Sequence, residues 1–163
     1  MGRLLLMRHG KAAWPDGVED FERPLAERGH REAALAGDWI REHVGTVDVV
    51  LCSSATRTRE TFAATGLDAP VTFLDAIYEG WTGDLLTAIN QVDPRVLTVL
   101  LVGHAPGTPG LAARLADDAS DPTLVNRVRA GFPTSAIAVL DADLPWAELD
   151  AESATLVDLV IPR

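Results

Sequence analysis

The sequence predicts an α/β fold: a three-layer α/β/α sandwich around a mostly parallel central sheet. Leu4 to Met7, Val47 to Leu51 and Val96 to Val102 are Leu-rich or β-branched runs, apolar at consecutive positions, as strands buried on both faces of a sheet are. Amphipathic stretches separate these runs, so strand and helix alternate along the chain. The length of 163 residues suits one domain, 1–163, able to bury about 68 to 70% of its unfolded surface without a disulfide or metal staple.

Leu4 to Met7 is the first strand. The stretch from Leu25 to Val44 then sets Ala33, Leu35 or Ala36, Trp39, Ile40 and Val44 at spacings of three and four, with Glu, Arg and Asp between them, which gives one helix an apolar stripe. Val47 to Leu51 is the second strand, and Thr56 to Ala64 a shorter helix behind it. Asp84 to Gln91 reads as a helix leading to the strand Val96 to Val102, which Gly107 to Leu115 follows as another helix. Ser135 to Leu140 and Thr155 to Ile161 read as further strands, added antiparallel at the C-terminal end. The connections are turns such as Asp143-Leu144-Pro145, with no repeat, low-complexity tract or linker.

Composition narrows the function. With 47% hydrophobic and 23% charged residues, the chain is neither disordered nor collagenous. The single Cys52 excludes an internal disulfide and a multi-cysteine zinc site. Fourteen Lys and Arg against 24 Asp and Glu give a net charge of −10, which disfavours nucleic acid and an anionic membrane as partners. Any anion must therefore be held by a local cluster. Only Leu4 to Met7 lie between Arg3 and Arg8, short of the roughly 7 to 15 apolar residues of a secretory signal. Val96 to Val102 falls far below the roughly 18 to 20 residues of a membrane span, and the expectation is a cytoplasmic protein.

In open α/β sheets ligands gather beyond the carboxyl ends of the strands. Three such ends are chemically unusual here. Met7-Arg8-His9-Gly10-Lys11 follows the first strand, Cys52-Ser53-Ser54-Ala55-Thr56-Arg57 the second, and Gly103-His104-Ala105-Pro106-Gly107 closes the run from Val96. Glycines at 10 and 103 would let a ligand approach the backbone closely. Paired histidines suggest a metal, but a divalent cation site is rich in carboxylate or thiolate, and here guanidinium groups accompany His9. Guanidinium forks match a phosphoryl group, and a neutral imidazole beside them is a competent nucleophile. A thiol nucleophile would need Cys-x5-Arg; Cys52 and Arg57 are one residue too close, so Cys52 reads as a buried strand-end residue. Gly103 to Gly110 lacks the Gly-Lys-Ser/Thr of a nucleotide-binding loop.

At these residues the chain resembles the histidine phosphatase superfamily, with its phosphoglycerate mutase-like fold, and within it the small SixA-type phosphohistidine phosphatases. The resemblance runs through Leu6 to Ala12, Phe21 to Gly29 with Arg23-Pro24-Leu25, Ser53 to Thr61, Leu101 to Gly107 and Pro133 to Ile137. It implies that His9 is the nucleophile that becomes phosphohistidine, that Arg8, Arg57 and a protonated His104 form the phosphate pocket, and that no cofactor or metal takes part. A backbone carbonyl near Gly10 would hold the other ring nitrogen of His9. Two positions depart from the family pattern: Ser54 stands where Pro is common and Ala105 where Asn is frequent.

In the mutase and broad-phosphatase branches a glutamate protonates the leaving oxygen. Glu79 is the candidate here and Asp84 the weaker one, while the SixA-type branch generally dispenses with that acid. The implied partner is a phosphorylated protein or a small phosphorylated molecule. The alternatives are a mutase-like phosphotransferase, disfavoured by the short chain, and a non-catalytic phosphate-binding module, disfavoured by the intact His9, Arg57 and His104. Lys11 and Arg59 read as rim charges, His30 and His43 as solvated, and Trp39 as core. Trp14 and Trp81 either wall the pocket or cover the sheet. Asp16, Glu19 and Asp20 are loop carboxylates that would repel acidic substrates.

Overall fold

The computed structural model describes residues 1–163 and begins with β1 over Gly2–Arg8. Then follow a 3-10 turn at Asp20–Glu22, α1 (Glu27–His43), β2 (Val49–Ser53), α2 (Thr56–Thr65), β3 (Val71–Leu74), the single turn α3 (Asp75–Tyr78), α4 (Thr82–Asn90) and β4 (Thr98–Gly103). The chain closes with α5 (Gly107–Leu115), α6 (Pro122–Ala130), β5 (Ile137–Ala142), a 3-10 turn at Trp146–Glu148 and β6 (Thr155–Val160). All six strands join one sheet in the order β3-β2-β4-β1-β5-β6. Strands β3, β2, β4 and β1 run parallel, with β5 and β6 added antiparallel, as expected.

The consecutive apolar runs bury both faces of the sheet. Leu4 and Leu6 of β1, with Val99 and Leu101 of β4, enter one core beneath α4, α5 and α6; Leu5, Met7, Leu100 and Val102 enter the other, beneath α1 and α2. A parallel ladder pairs Leu5 with Leu100 and Arg8 with Gly103, so β1 and β4 end side by side. β2 lies on the far flank of β4. The chain thus crosses from β1 over β4 to β2, and the three strands with unusual ends are neighbours. No helix is long and apolar enough to cross a membrane.

Several expectations shift. The second strand starts at Val49 rather than Val47 and extends to Ser53, placing Cys52 and Ser53 inside the sheet. Trp39 is half-buried and stacks on the exposed His43 with ring centroids 4.8 Å apart; the fully enclosed tryptophan is Trp146, 3% exposed, whose ring lies against Gly2 and whose indole N–H donates to the Val96 carbonyl at 2.8 Å. Strand β3 and helix α6 were not foreseen. The first is a half-exposed edge strand with no apolar run, and the second is set by its cap, the Asp121 carboxylate accepting the Thr123 amide at 2.8 Å ahead of Pro122.

Candidate active site

Contacts from four parts of the chain fix the end of β1. The His9 amide donates to Gly103 O at 3.0 Å, and the Ser135 amide reaches the Arg8 and His9 carbonyls at 3.2 and 3.0 Å. Ser135 holds a left-handed φ of 65°, a conformation that costs a non-glycine residue energy and is kept here by those two bonds. From α2, Thr61 Oγ1 accepts the Gly10 amide at 2.9 Å while its hydroxyl donates to Arg57 O at 2.7 Å. The glycines serve packing, not ligand approach. A Cβ on Gly10 would stand 2.9 Å from the Gly29 carbonyl of α1, and one on Gly103 would stand 2.6 Å from Thr108 Oγ1.

His9 lies at the floor of this region, 8% exposed. Its Nδ1 donates to the Gly10 carbonyl at 2.7 Å. A carbonyl can only accept, so Nδ1 carries the ring proton and Nε2 keeps a free electron pair. Burial above all, then the cations Arg57, Arg8 and Arg23, hold the ring well below its ordinary value, at about 4, against the opposing pull of Gly10. His104 stands across from it, with ring centroids 5.2 Å apart. Its Nε2 pairs with Ser53 Oγ at 2.8 Å, and its Nδ1 has no partner within the protein. Burial, then His9 and Arg57, push His104 down to about 3, so the ring is neutral at neutral pH rather than the expected imidazolium. Arg8 and Arg57 at close range disfavour a further positive charge, and a dianion bound among them would reverse that field.

The guanidinium groups are only partly satisfied. Arg8 donates one terminal N–H to Phe132 O at 2.9 Å, and the buried Nε of both Arg8 and Arg57 lacks a partner. Both guanidinium groups act on His9 and on His104 through their charge, and their unpaired N–H groups are donors of the kind that bind a tetrahedral anion. No group of three or more His, Cys, Asp or Glu side chains is placed to share a metal ion. Cys52 is fully buried in the other core, and burial pushes its thiol up to about 12, far from a thiolate nucleophile.

The candidate acids stand apart from this cluster. Glu79 is exposed on the rim of a cleft of about 120 Å³ that it shares with Trp81 and His104. Asp84 is occupied structurally, its Oδ2 accepting the Trp81 amide at 3.0 Å at the start of α4. Lys11 is exposed, and the exposed Arg59 lies over the Phe73 ring at 4.0 Å. Trp14 is largely exposed and carries the Arg23 guanidinium against its face. Sequence reasoning missed two participants, Tyr78 and, in its actual position, Asp20. The Asp20 carboxylate is bound by Arg57, Tyr78 and Arg23 together, so it is part of the cluster and not simply a loop charge. The Arg23-Pro24-Leu25 segment was the available signal, since Arg23 and Asp20 pair at a spacing of three.

Comparison with known proteins bears on the family and the fold. Residues 4–104 match the model of the histidine phosphatase superfamily, branch 1. An uncharacterized protein of Mycobacterium tuberculosis is 47% identical over 158 residues, covering 96% of this chain and 100% of that one. The phosphohistidine phosphatase SixA of Escherichia coli is 29% identical over 147 residues, 86% of each chain. Among solved structures, one from Nakamurella multipartitia named for SixA superposes with a TM-score of 0.91 at 38% identity, covering 99% of this chain and 96% of that one. A SixA protein histidine phosphatase complexed with tungstate gives 0.80 at 26% identity, covering 98% and 97%.

Proposed function

The chain belongs to the histidine phosphatase superfamily, and from that premise we propose that it hydrolyses phosphohistidine, on a protein or a small molecule, through a covalent intermediate on His9. One observation carries this reading: Nδ1 of His9 is tied to Gly10 O, which leaves Nε2 unprotonated near the unpaired nitrogens of Arg8, Arg57 and His104. Nε2 attacks phosphorus in line with the departing group. Arg8, Arg57 and His104 stabilise the charge on the three equatorial oxygens. Water then attacks the phosphoenzyme; the P–N bond breaks, its electron pair returns to Nε2, and one proton passes to solvent. That a SixA neighbour is complexed with tungstate supports a tetrahedral oxyanion as a ligand for a protein of this kind.

Glu79 and Asp84 are not assigned as the acid, because one is exposed without a partner and the other caps α4. The joining of all six strands in one sheet supports taking 1–163 as one domain. The test is turnover of a phosphohistidine peptide, an aryl phosphate, phosphosugars and nucleotides by wild type and by His9→Ala. The phosphohistidine peptide should be the best substrate, and His9→Ala should be inactive on all of them. Near wild-type turnover by His9→Ala would refute the proposal.

A further inference from the structure

A carboxylate stands at the exit of this site. Asp20 sits on the first 3-10 turn, in the connection between β1 and α1. Its backbone carbonyl accepts one terminal N–H of Arg57 at 2.6 Å and its Oδ2 accepts another at 3.1 Å. The same Oδ2 accepts the Tyr78 hydroxyl at 2.6 Å, and Oδ1 accepts from Arg23 at 3.1 Å. The Tyr78 ring is fixed in turn, edge-on to Phe21 at 4.9 Å and to His104 at 5.6 Å. His9 forms the floor, whereas the Asp20 side chain is 50% exposed. Asp20 touches the site through Arg57, and Tyr78 joins it to His104; in-line displacement sends the leaving group away from the buried His9, and Asp20 is the half-exposed carboxylate that borders the site.

We propose that Asp20 determines specificity: its fixed carboxylate favours phosphoryl donors whose leaving group is cationic before it departs, a ring-protonated phosphohistidine, over donors that leave as anions. This inference deepens the proposed function and rests on it. As His9 Nε2 bonds to phosphorus, the P–N bond of the donor breaks and its electron pair stays on the departing nitrogen. The donor ring passes from imidazolium to neutral imidazole, its proton already on the other nitrogen, and no acid is required. With an aryl phosphate the electron pair of the P–O bond goes to oxygen, and a phenolate forms facing Asp20. Asp20 does not relieve this by giving a proton. The Tyr78 hydroxyl above all, with Arg23 and Arg57, holds its carboxyl down at about 2, so it remains ionised at neutral pH.

The test compares kcat/KM for a phosphohistidine peptide with kcat/KM for 4-nitrophenyl phosphate in wild type, Asp20→Asn and Asp20→Glu. The ratio cancels any effect of freeing Arg57, because both substrates use that guanidinium. Asp20→Asn should lower the peptide-to-aryl ratio on the order of tenfold, the size of one partly screened charge interaction, and Asp20→Glu should restore most of it. An unchanged ratio, with both substrates faster or both slower by one factor, or a raised ratio would overturn the inference and leave Asp20 as a restraint on Arg57 or a support of the loop. Wild type that cleaves neither substrate, or His9→Ala that still turns over, would instead overturn the phosphatase reading beneath it.

Discussion

Each residue of the cluster has its chemistry set by what its neighbours leave unpaired. Arg57 carries a buried Nε without a partner, and in the proposed mechanism it is a charge-assisted donor to the transferred phosphoryl. Arg57→Ala should lower kcat on the order of 10² or more in steady-state assays, as loss of a preorganised donor does. Cys52→Ala should keep its activity, because a thiol held at about 12 in the other core takes no part. The histidines predict a pH dependence of stability with a definite sign. His9 and His104 are held at about 4 and about 3, below the ordinary 6.5, so the unfolded chain binds more protons in that interval. Their contribution is full above pH 6.5 and is lost as the pH falls toward 4 and then 3, and urea midpoints across that range should fall more steeply for wild type than for His104→Gln. His9, Arg57 and His104 were legible in the sequence because each stands at or just after a strand end. Asp20 and Tyr78 were not, since 58 residues separate them and only the fold brings the hydroxyl to the carboxylate.

Among the elements, the buried strands read clearly because consecutive Leu and Val have one explanation in an α/β chain. β3 did not, because Val71-Thr72-Phe73-Leu74 lies at the sheet edge with Thr72 and Phe73 exposed. Contact between elements also sets the site. α1 approaches the segment after β1 so closely that a Cβ on Gly29 would lie 2.2 Å from the Lys11 carbonyl, which itself accepts the Ala26 amide at 2.9 Å. Gly29→Ala must push that segment away, with a cost of about 1–3 kcal/mol in denaturant titration and a loss of turnover as His9 shifts with it. The turn between α3 and α4 behaves differently. Glu79→Gln should leave hydrolysis of phosphohistidine and of an aryl phosphate nearly unchanged, while a general acid would contribute roughly 10² to 10⁴ where the leaving group is poor. Strong cleavage of an alkyl phosphate by wild type, lost in Glu79→Gln, would assign Glu79 that role.

At the scale of the molecule, a protein of net charge −10 concentrates Arg8, Arg23 and Arg57 around one buried imidazole. Asp20 offsets Arg23 and Arg57 in part, and a bound anion relieves the rest. Phosphate or vanadate should therefore inhibit competitively and raise the melting temperature, with a stabilisation of about 2.7 kcal/mol at a hundredfold excess over Kd. The same arrangement suits His9 to the nucleophile's role we propose for it, since the proton it would otherwise carry on Nε2 is excluded by burial and the surrounding cations. The most direct measurement of this claim is rapid acid and alkali quenching of wild-type enzyme during turnover of a ³²P-labelled phosphohistidine peptide, followed by mapping of the label. The label should be acid-labile and alkali-stable, lie on His9, and be absent from His9→Ala. A label on another residue, or wild-type turnover with no phosphoenzyme at any time point, would contradict the account.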